Sequence, residues 1–392
     1  MDDQEQEEKK KEILILRNEV IAYNNEQLYR NDIMQPDLDN TQRKASERVQ
    51  ELKAQFYNSF LTKNYKHIVV LSAAGTSLDN GDNRGQTRDG LWEKGKDIID
   101  RIHQKLPATT DKFNRIIEEK DIEALLSHIL LVEKVNEDLA PSLGELRKEL
   151  EKVIRDACAL TLDKEKAPHK AFLDKITSRK ASAPRVSLFT TNYDTLFEQA
   201  AQEGGFVVID GFSFTTPRTF SGRYFDYDIV NREHTRLKDE DSFISKVFHL
   251  YKLHGSLNWE SKDNRIVQTE KTETPLIVYP ASDKYESSYE QPYFEMMSRF
   301  QQALRKEDVL LIVLGFGFRD KHIQNVILEA VNQNPNFQLL IVNYNSSGTI
   351  DRKELEDYFE DHKVKRNVAI VFDTFKCFTE GYPVNKIYSN NE

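Results

Sequence analysis

Two strongly apolar runs, at residues 308–315 and 338–343, constrain the fold of this chain most, because a helical pattern at residues 321–332 separates them. Short runs that are apolar throughout are typical of strands buried on both faces. Two such strands joined by one helix are typical of a crossover connection in a parallel sheet. The sequence therefore predicts an α/β fold.

Other short apolar runs predict further strands of the same sheet. Together with the two runs above, they predict a Rossmann-like, mostly parallel sheet flanked by helices. These segments lie at residues 68–71, 186–189, 205–210, 248–253, 276–279 and 368–372.

Two regions carry apolar residues at helical spacing instead. Residues 91–180 repeat them throughout, which predicts a large helical insertion packed on the sheet domain. Residues 1–60 are rich in Glu, Lys, Gln and Asn, and the spacing of their apolar residues predicts two or more helices. We therefore expect an N-terminal helical segment at 1–60 and an α/β domain at 61–392.

Composition excludes several classes of protein. The chain has 2 cysteines, Cys158 and Cys377, so it can form neither a disulfide framework nor a zinc ribbon, and we expect no metal. Its apolar runs are too short to span a bilayer, and no secretory leader pattern opens the sequence. A net charge of -10 argues against direct nucleic-acid binding over a broad surface. A soluble, cytoplasmic protein is expected.

A small-residue turn follows the first predicted strand. Ala74, Gly75, Thr76 and Ser77 let a diphosphate approach main-chain N–H groups at the start of a helix. The turn lacks the lysine of a P-loop and the three glycines of a dinucleotide fingerprint, which argues against ATPase and dehydrogenase classes. A tight strand-to-helix turn without a ligand explains it equally well.

Polar residues also follow two later strands. Asn192 and Asp194 come after one strand, where a helix N-cap is the alternative reading. His254 precedes Gly255 after another strand, where a hydrogen-bonded structural histidine is the alternative. A metal pair of His249 and His254 is disfavoured, because an offset of five in a strand places the rings on opposite faces.

The order of these motifs resembles the SIR2 (sirtuin) family over about residues 67–375. The matching pieces are Gly75-Thr-Ser77, Thr190-Thr-Asn192-Tyr-Asp194, Leu253-His254-Gly255, Leu314-Gly315-Phe-Gly-Phe and Val342-Asn343. The resemblance implies an NAD site, in which Ala74, Gly75, Thr76 and Ser77 hold the diphosphate region and Asp194 faces the nicotinamide carboxamide.

The resemblance also implies the reacting groups. Asn192 would position the ribose or an attacking water, and His254 would be the general base or would orient the ribose. Gly315, Phe316 and Asn343 would line the adenosine half of the site. NAD would be the substrate.

Departures from the family pattern are informative too. Deacetylase sirtuins carry four zinc-binding cysteines, which this chain lacks, and the glutamine before the family's asparagine is Thr191 here. The first glycine of the phosphate turn is Ala73. What remains resembles the zinc-free SIR2-like NADases of bacterial anti-phage defence, especially the SIR2 proteins that act with a HerA-type ATPase.

Three hypotheses follow. The first is hydrolysis of NAD+ to nicotinamide and ADP-ribose in anti-phage defence, gated by homo-oligomerisation or by a HerA-type ATPase partner. The second is an NAD-dependent protein deacylase. The third is a nucleotide- or ADP-ribose-binding assembly subunit of an ATPase complex.

Overall fold

A computed structural model gives the structure of most of the chain. The described residues are 11–24, 27–36, 44–106, 111–180, 182–231, 243–270, 272, 274–277, 291–344, 352–361 and 363–384. The chain divides into two compact units. The first unit contains Met1–Leu71, Ala171–Ser187 and Gln301–Glu392, and the second contains Ser72–Lys170 and Leu188–Phe300.

Helices and strands alternate along the described chain. The helices are α1 Ala45–Leu61, α2 Ala74–Ser77, α3 Arg88–Lys105, α4 Asp111–Glu118, α5 Ile122–Val135, α6 Ala140–Cys158, α7 His169–Ile176, α8 Leu196–Gly204, α9 Tyr293–Leu304, α10 Lys321–Gln333 and α11 Phe375–Gly381. Short 3-10 helices lie at Gly222–Asp226 and Arg352–Tyr358.

The strands follow the same order. They are β1 Lys11–Leu16, β2 Glu19–Tyr23, β3 Leu28–Arg30, β4 Ile33–Gln35, β5 His67–Ser72, β6 Ser187–Thr190, β7 Val207–Ile209, β8 Arg218–Thr219, β9 Val247–Lys252, β10 Gly255–Ser256, β11 Trp259–Lys262, β12 Arg265–Gln268, β13 Leu276–Ile277, β14 Val309–Leu314, β15 Phe337–Asn343, β16 Phe359–Glu360, β17 Lys363–Val364 and β18 Val368–Phe372.

The first unit is built on a sheet whose strands run in the order β4-β3-β2-β1-β18-β15-β14-β5. Strands β14 and β15 are parallel, in register from Val309 opposite Phe337 to Leu314 opposite Val342, and β15 is parallel to β18. Helix α10 connects β14 to β15, and every residue of β14 is buried. The predicted crossover between two parallel strands, one fully buried and one almost fully buried, is confirmed.

The N-terminal helical segment was predicted wrongly for residues 11–35, which form the antiparallel strands β1 to β4. Asn31 and Asp32 adopt positive φ angles of 49° and 63°, which suit a tight hairpin between β3 and β4. Strand β1 then pairs antiparallel with β18. Only α1 is helical in this part of the described chain, and residues 1–10 lie outside it.

The second unit combines a small sheet with the helical insertion. Its main strands run in the order β6-β9-β7, with β7 and β9 parallel. Helices α3 to α6 confirm the predicted insertion, although residues 159–168 are not helical. Their apolar core is fully buried and also contains Tyr193, next to Asn192. The insertion is therefore packed against the neighbour of a predicted site residue.

Membrane insertion finds no support in the described helices. None of these helices has both the length and the hydrophobicity that a bilayer span requires.

Candidate functional site

The polar turn, residues 73–77, leads directly from β5 into the four-residue helix α2. The Thr76 N–H and the Thr76 hydroxyl both donate to the Ala73 carbonyl, each at 2.9 Å. Ala74 is exposed and Gly75 is half-buried, whereas Thr76 and Ser77 are buried. Ala74 and Gly75 thus form the accessible side of the turn, and the two hydroxyl side chains lie inside.

The inward hydroxyls meet the residues that follow β6. Ser77 Oγ donates to Asp194 Oδ2 at 2.6 Å. Asn192 Nδ2 lies 2.9 Å from Ser77 Oγ, 3.2 Å from Thr76 Oγ1 and 3.1 Å from the Ala73 carbonyl oxygen. The structure therefore brings together four predicted site residues: Thr76, Ser77, Asn192 and Asp194.

This network decides which end of the Asn192 amide faces the turn. Ser77 has one hydroxyl hydrogen, and because it is donated to the Asp194 carboxylate, Ser77 must accept a hydrogen bond from Asn192. The Ala73 carbonyl can only accept as well. Both partners require the NH₂ group of Asn192 on that side, so its Oδ1 points the other way.

Asn192 Oδ1 is thereby left as an acceptor for a ligand. Within the described part of the chain, no hydrogen bond reaches this oxygen, and the residue is only half-buried. An amide oxygen in this position can accept a hydrogen bond from a water molecule or a sugar hydroxyl. The predicted N-cap role is not seen, because α8 begins at Leu196 and its N-cap residue is Thr195.

The Asp194 carboxylate is held on both oxygens. Ser77 donates to Oδ2, and the Leu196 N–H donates to Oδ1 at 3.1 Å. The residue is 7% exposed. A carboxylate has about four lone-pair positions, so it can still accept from a ligand amide.

The end of β9 carries the histidine. The Leu253 N–H donates to the Thr190 carbonyl at 2.8 Å, which places the end of β9 beside the end of β6. His254 follows and is buried, and its ring centroid lies 6.5 Å from that of Tyr193. Gly255 has a φ of 88°, and a Cβ there would lie 2.2 Å from the Leu276 carbonyl oxygen. Only glycine therefore fits directly after His254.

Sequence reasoning missed an ion pair between a buried lysine and a half-buried glutamate beside Asp194. Lys252 is 2% exposed, and its Nζ donates to Glu198 Oε1 at 3.0 Å and to the main-chain carbonyl of Asp194. Burial raises the pKa of Glu198, and the charge of Lys252 works against that rise. A lysine at the end of a mostly apolar strand was the available signal, since a lysine is almost never fully buried without a partner.

Tyr193 connects the site to the helical insertion, a second feature that the sequence did not reveal. Its hydroxyl lies 3.1 Å from Glu123 Oε1 on α5, and its carbonyl accepts from the Leu257 N–H at 3.1 Å. Burial, and then the charges of Asp194 and Glu123, raise the pKa of the nearby Cys158 thiol to about 12. That thiol is therefore a poor nucleophile at neutral pH.

The remaining predicted site residues belong to the first unit. The aromatic turn, residues 315–318, follows β14, and the Gly315 N–H donates to the Val342 carbonyl at 3.0 Å. Asn343 Nδ2 donates to the Phe316 carbonyl at 2.8 Å. The rings of Phe316 and Phe318 lie 5.1 Å apart. The structure brings Gly315, Phe316 and Asn343 together, and their contact with adenosine stays a prediction.

Metal ligands do not cluster in the parts of the chain that the structure describes. No group of three or more His, Cys, Asp or Glu residues there is arranged to hold an ion. Cys158 and Cys377 are both free thiols.

These features define an α/β protein whose strand ends carry an amide, hydroxyls, a carboxylate and an imidazole. Residues 186–365 match the sequence model of a family described as "SIR2-like domain". The matched stretch contains Asn192, Asp194, His254 and the aromatic turn. A SIR2-like domain indicates an enzyme that uses NAD.

The chain is also similar, at low identity, to two solved structures whose descriptions name Sir2 enzymes and sirtuins. One, described as the structural basis for the mechanism and regulation of Sir2 enzymes, is 13% identical with a TM-score of 0.38, covering 84% of this chain and 97% of that one. Another, described as the structural basis of sirtuin substrate affinity, is 14% identical with a TM-score of 0.35, covering 83% and 96%. The comparison with curated proteins gave no match.

Proposed function

We propose that this protein hydrolyses NAD+ to nicotinamide and ADP-ribose. The observation that carries the proposal is the fixed orientation of the Asn192 amide, whose Oδ1 is left to accept a hydrogen bond from water. In the reaction, the bond between C1 of the ribose and the nicotinamide nitrogen breaks. The water oxygen bonds to C1, and the proton that the water loses passes to His254.

The site suits a reaction of this kind. Nicotinamide leaves from an oxocarbenium-like centre, so the protein chiefly has to hold the water and the leaving group in position. Asn192 would hold the water, and Asp194, which retains acceptor capacity, would bind the carboxamide N–H of nicotinamide. The main-chain N–H groups of Ala74 and Gly75, on the exposed side of the polar turn, would receive the diphosphate.

Water is preferred over an acyl-lysine oxygen as the nucleophile because of what the sequence lacks. With Cys158 and Cys377 as its 2 cysteines, the chain cannot form the four-cysteine zinc module of deacetylase sirtuins. A deacylase would release nicotinamide only when an acylated peptide is present. A hydrolase would release it from NAD+ alone.

The test is product analysis with the full chain. NAD+ is incubated in ¹⁸O-labelled water, and nicotinamide and ADP-ribose are quantified by mass spectrometry. The proposal predicts equal amounts of both products and one ¹⁸O atom at C1 of ADP-ribose. Asn192→Ala should lower turnover by about 100-fold, the typical effect of losing one preorganised polar contact. Undiminished turnover in this variant would overturn the assignment.

We also propose that the activity is gated by assembly and serves anti-phage defence by depleting NAD. The support is chemical: an enzyme that destroys NAD without control would poison its own cell, so it has to be silent until triggered. A homo-oligomer, or a complex with a HerA-type ATPase, is the proposed gate.

Gating is tested by measuring nicotinamide release from size-separated fractions of the protein, with and without a HerA-type ATPase. Activity that depends on the assembled state supports the proposal. Equal activity of the free monomer and the complex contradicts it. ADP-ribose binding without turnover in every state would instead favour an assembly subunit.

A further inference from the structure

Lys252 is the most unusual charged residue of the second unit. It is 2% exposed in β9, where its neighbours Leu250, Tyr251 and Leu253 are buried. A buried ammonium costs several kcal/mol unless it is well paired, and apolar residues of similar volume often replace such pairs without loss of stability. A contribution to stability is therefore a weak explanation for this lysine.

The contacts of Lys252 point to a different role. Its Nζ donates to the main-chain carbonyl of Asp194, in the irregular segment between β6 and α8 that carries Asn192. Glu198, on α8, holds the same Nζ at 3.0 Å. Lys252 itself stands two residues before His254. One side chain thus ties the strand that leads to His254 to the segment that leads from Asn192 to Asp194.

We propose that Lys252 is a positioning residue that fixes the Asn192–Asp194 segment relative to His254, and that Glu198 serves to hold its ammonium group. The inference rests on the proposed NAD hydrolysis for its effect on turnover. Neither side chain has to touch the substrate. Their effect would pass through the Asp194 carbonyl to the Asp194 carboxylate and the Asn192 amide.

The effect should fall on the chemical step. Misplacing a reacting group by about 1 Å can lower turnover on the order of 100-fold, whereas binding of the rest of the substrate is unaffected. Loss of Lys252 should therefore lower kcat and leave KM for NAD+ nearly unchanged. A purely structural role would instead lower the amount of folded protein and leave the kcat of the folded fraction unchanged.

The decisive variant removes both charges together. The double variant Lys252→Met/Glu198→Gln leaves no unpaired buried charge, so it is expected to fold. The single variant Glu198→Gln keeps an acceptor for Nζ but leaves the buried Lys252 ammonium without its counter-charge. A control, Arg147→Met/Glu133→Gln, removes the partly buried ion pair of Arg147 with Glu133 in the helical insertion of the same unit, and with it the bond from Arg147 to Glu151.

Three quantities are measured on each variant: the melting temperature, kcat and KM for nicotinamide release, and hydrogen exchange of the amides of residues 190–196. For the Lys252 double variant, we expect kcat to fall on the order of 10- to 100-fold with KM within about twofold, and exchange at 190–196 to speed up. Glu198→Gln should lower kcat less than the double variant does, and the Arg147 control should keep kcat within about twofold of the wild type.

The outcomes separate this inference from the proposed function. Wild-type kcat and wild-type exchange at residues 190–196 in the folded double variant would overturn the role of Lys252. A wild-type protein that releases no nicotinamide in any state would instead refute NAD hydrolysis. In that case the exchange of residues 190–196 alone decides whether Lys252 positions the segment.

Discussion

The polar turn and the aromatic turn both follow a buried strand, but they are held in different ways. In the polar turn, the side chains of Thr76 and Ser77 bond to the side chains of Asn192 and Asp194. The aromatic turn is held by a main-chain bond from Gly315, one amide from Asn343 and a pair of phenylalanine rings.

This difference predicts that substitutions in the two turns affect different quantities. In the polar turn, each side-chain contact sets the direction of another, so the loss of one group should redirect its neighbours. In the aromatic turn, the main chain and the rings define a surface, and the loss of one group should change stability or binding more than turnover. Matched substitutions in the two turns test this contrast.

The largest effect is expected from the two asparagines. Asn192→Ala should lower kcat by about 100-fold with a small change in melting temperature, because water can replace the amide at its half-buried position. Asn343→Ala should do the reverse and cost about 1–3 kcal/mol of unfolding free energy, since the buried Phe316 carbonyl loses its donor. Nicotinamide release and urea unfolding measure the two quantities. The contrast would be contradicted if one of the two variants showed both the larger loss of kcat and the larger loss of unfolding free energy.

Within the polar turn, Ser77 should matter more than Thr76. Ser77→Ala removes the bond to Asp194 that fixes the Asn192 amide, and kcat should fall about 10-fold, or roughly 1.4 kcal/mol. Thr76→Val removes one partner of the Asn192 amide, but the bonds from that amide to Ser77 and to the Ala73 carbonyl still fix its direction, so kcat should change by about twofold at most. Steady-state kinetics on the two purified variants provides the check, and a larger loss in Thr76→Val would contradict it.

A smaller effect is expected where the helical insertion meets the polar segment. Tyr193→Phe keeps the ring in its buried core and removes the bond to Glu123, which should cost about 1 kcal/mol of unfolding free energy. If the polar turn orients Asn192 by itself, kcat should stay near the wild-type value. A fall in kcat comparable to that of Ser77→Ala would show that the insertion controls the site.

The smallest effects belong to the glycines of the aromatic turn. Gly315 has a φ of 62°, so Gly315→Ala should cost about 1 kcal/mol. Gly317 has no atom within 4 Å of an added Cβ, and Gly317→Ala should change the unfolding free energy by less than about 0.5 kcal/mol. Thermal unfolding of the two variants measures these changes in unfolding free energy, and a cost at Gly317 as large as that at Gly315 would contradict the prediction.

Strands that are buried on both faces could be predicted from the sequence. The runs that became β14 and β15 are too short for typical helices, which favoured strands. Three of the polar residues predicted at strand ends, Ser77, Asn192 and Asp194, lie in contact. Periodicity failed at residues 11–35, because short strands with apolar residues on both faces mimic helical spacing. Asn31-Asp32 between two short apolar segments was the missed hairpin signal.

Other features could not be predicted from one sequence at all. The pairing of Lys252 with Glu198 and the contact of Tyr193 with Glu123 join residues far apart in the chain. Local patterns carry no information about such partners. The direction of the Asn192 amide depends on the hydroxyl hydrogen of Ser77, which only the folded arrangement fixes.

The pairing of β1 with β18 has a consequence for biosynthesis. Leu14 lies opposite Val371, so β1 hydrogen-bonds to a strand that is translated long after it. A nascent chain cannot complete the sheet of the first unit until β18 has been translated, and such a distant contact is slow to form. Until then, β1 can pair only with β2, and a chain cut off before β18 would keep an open strand edge prone to aggregation.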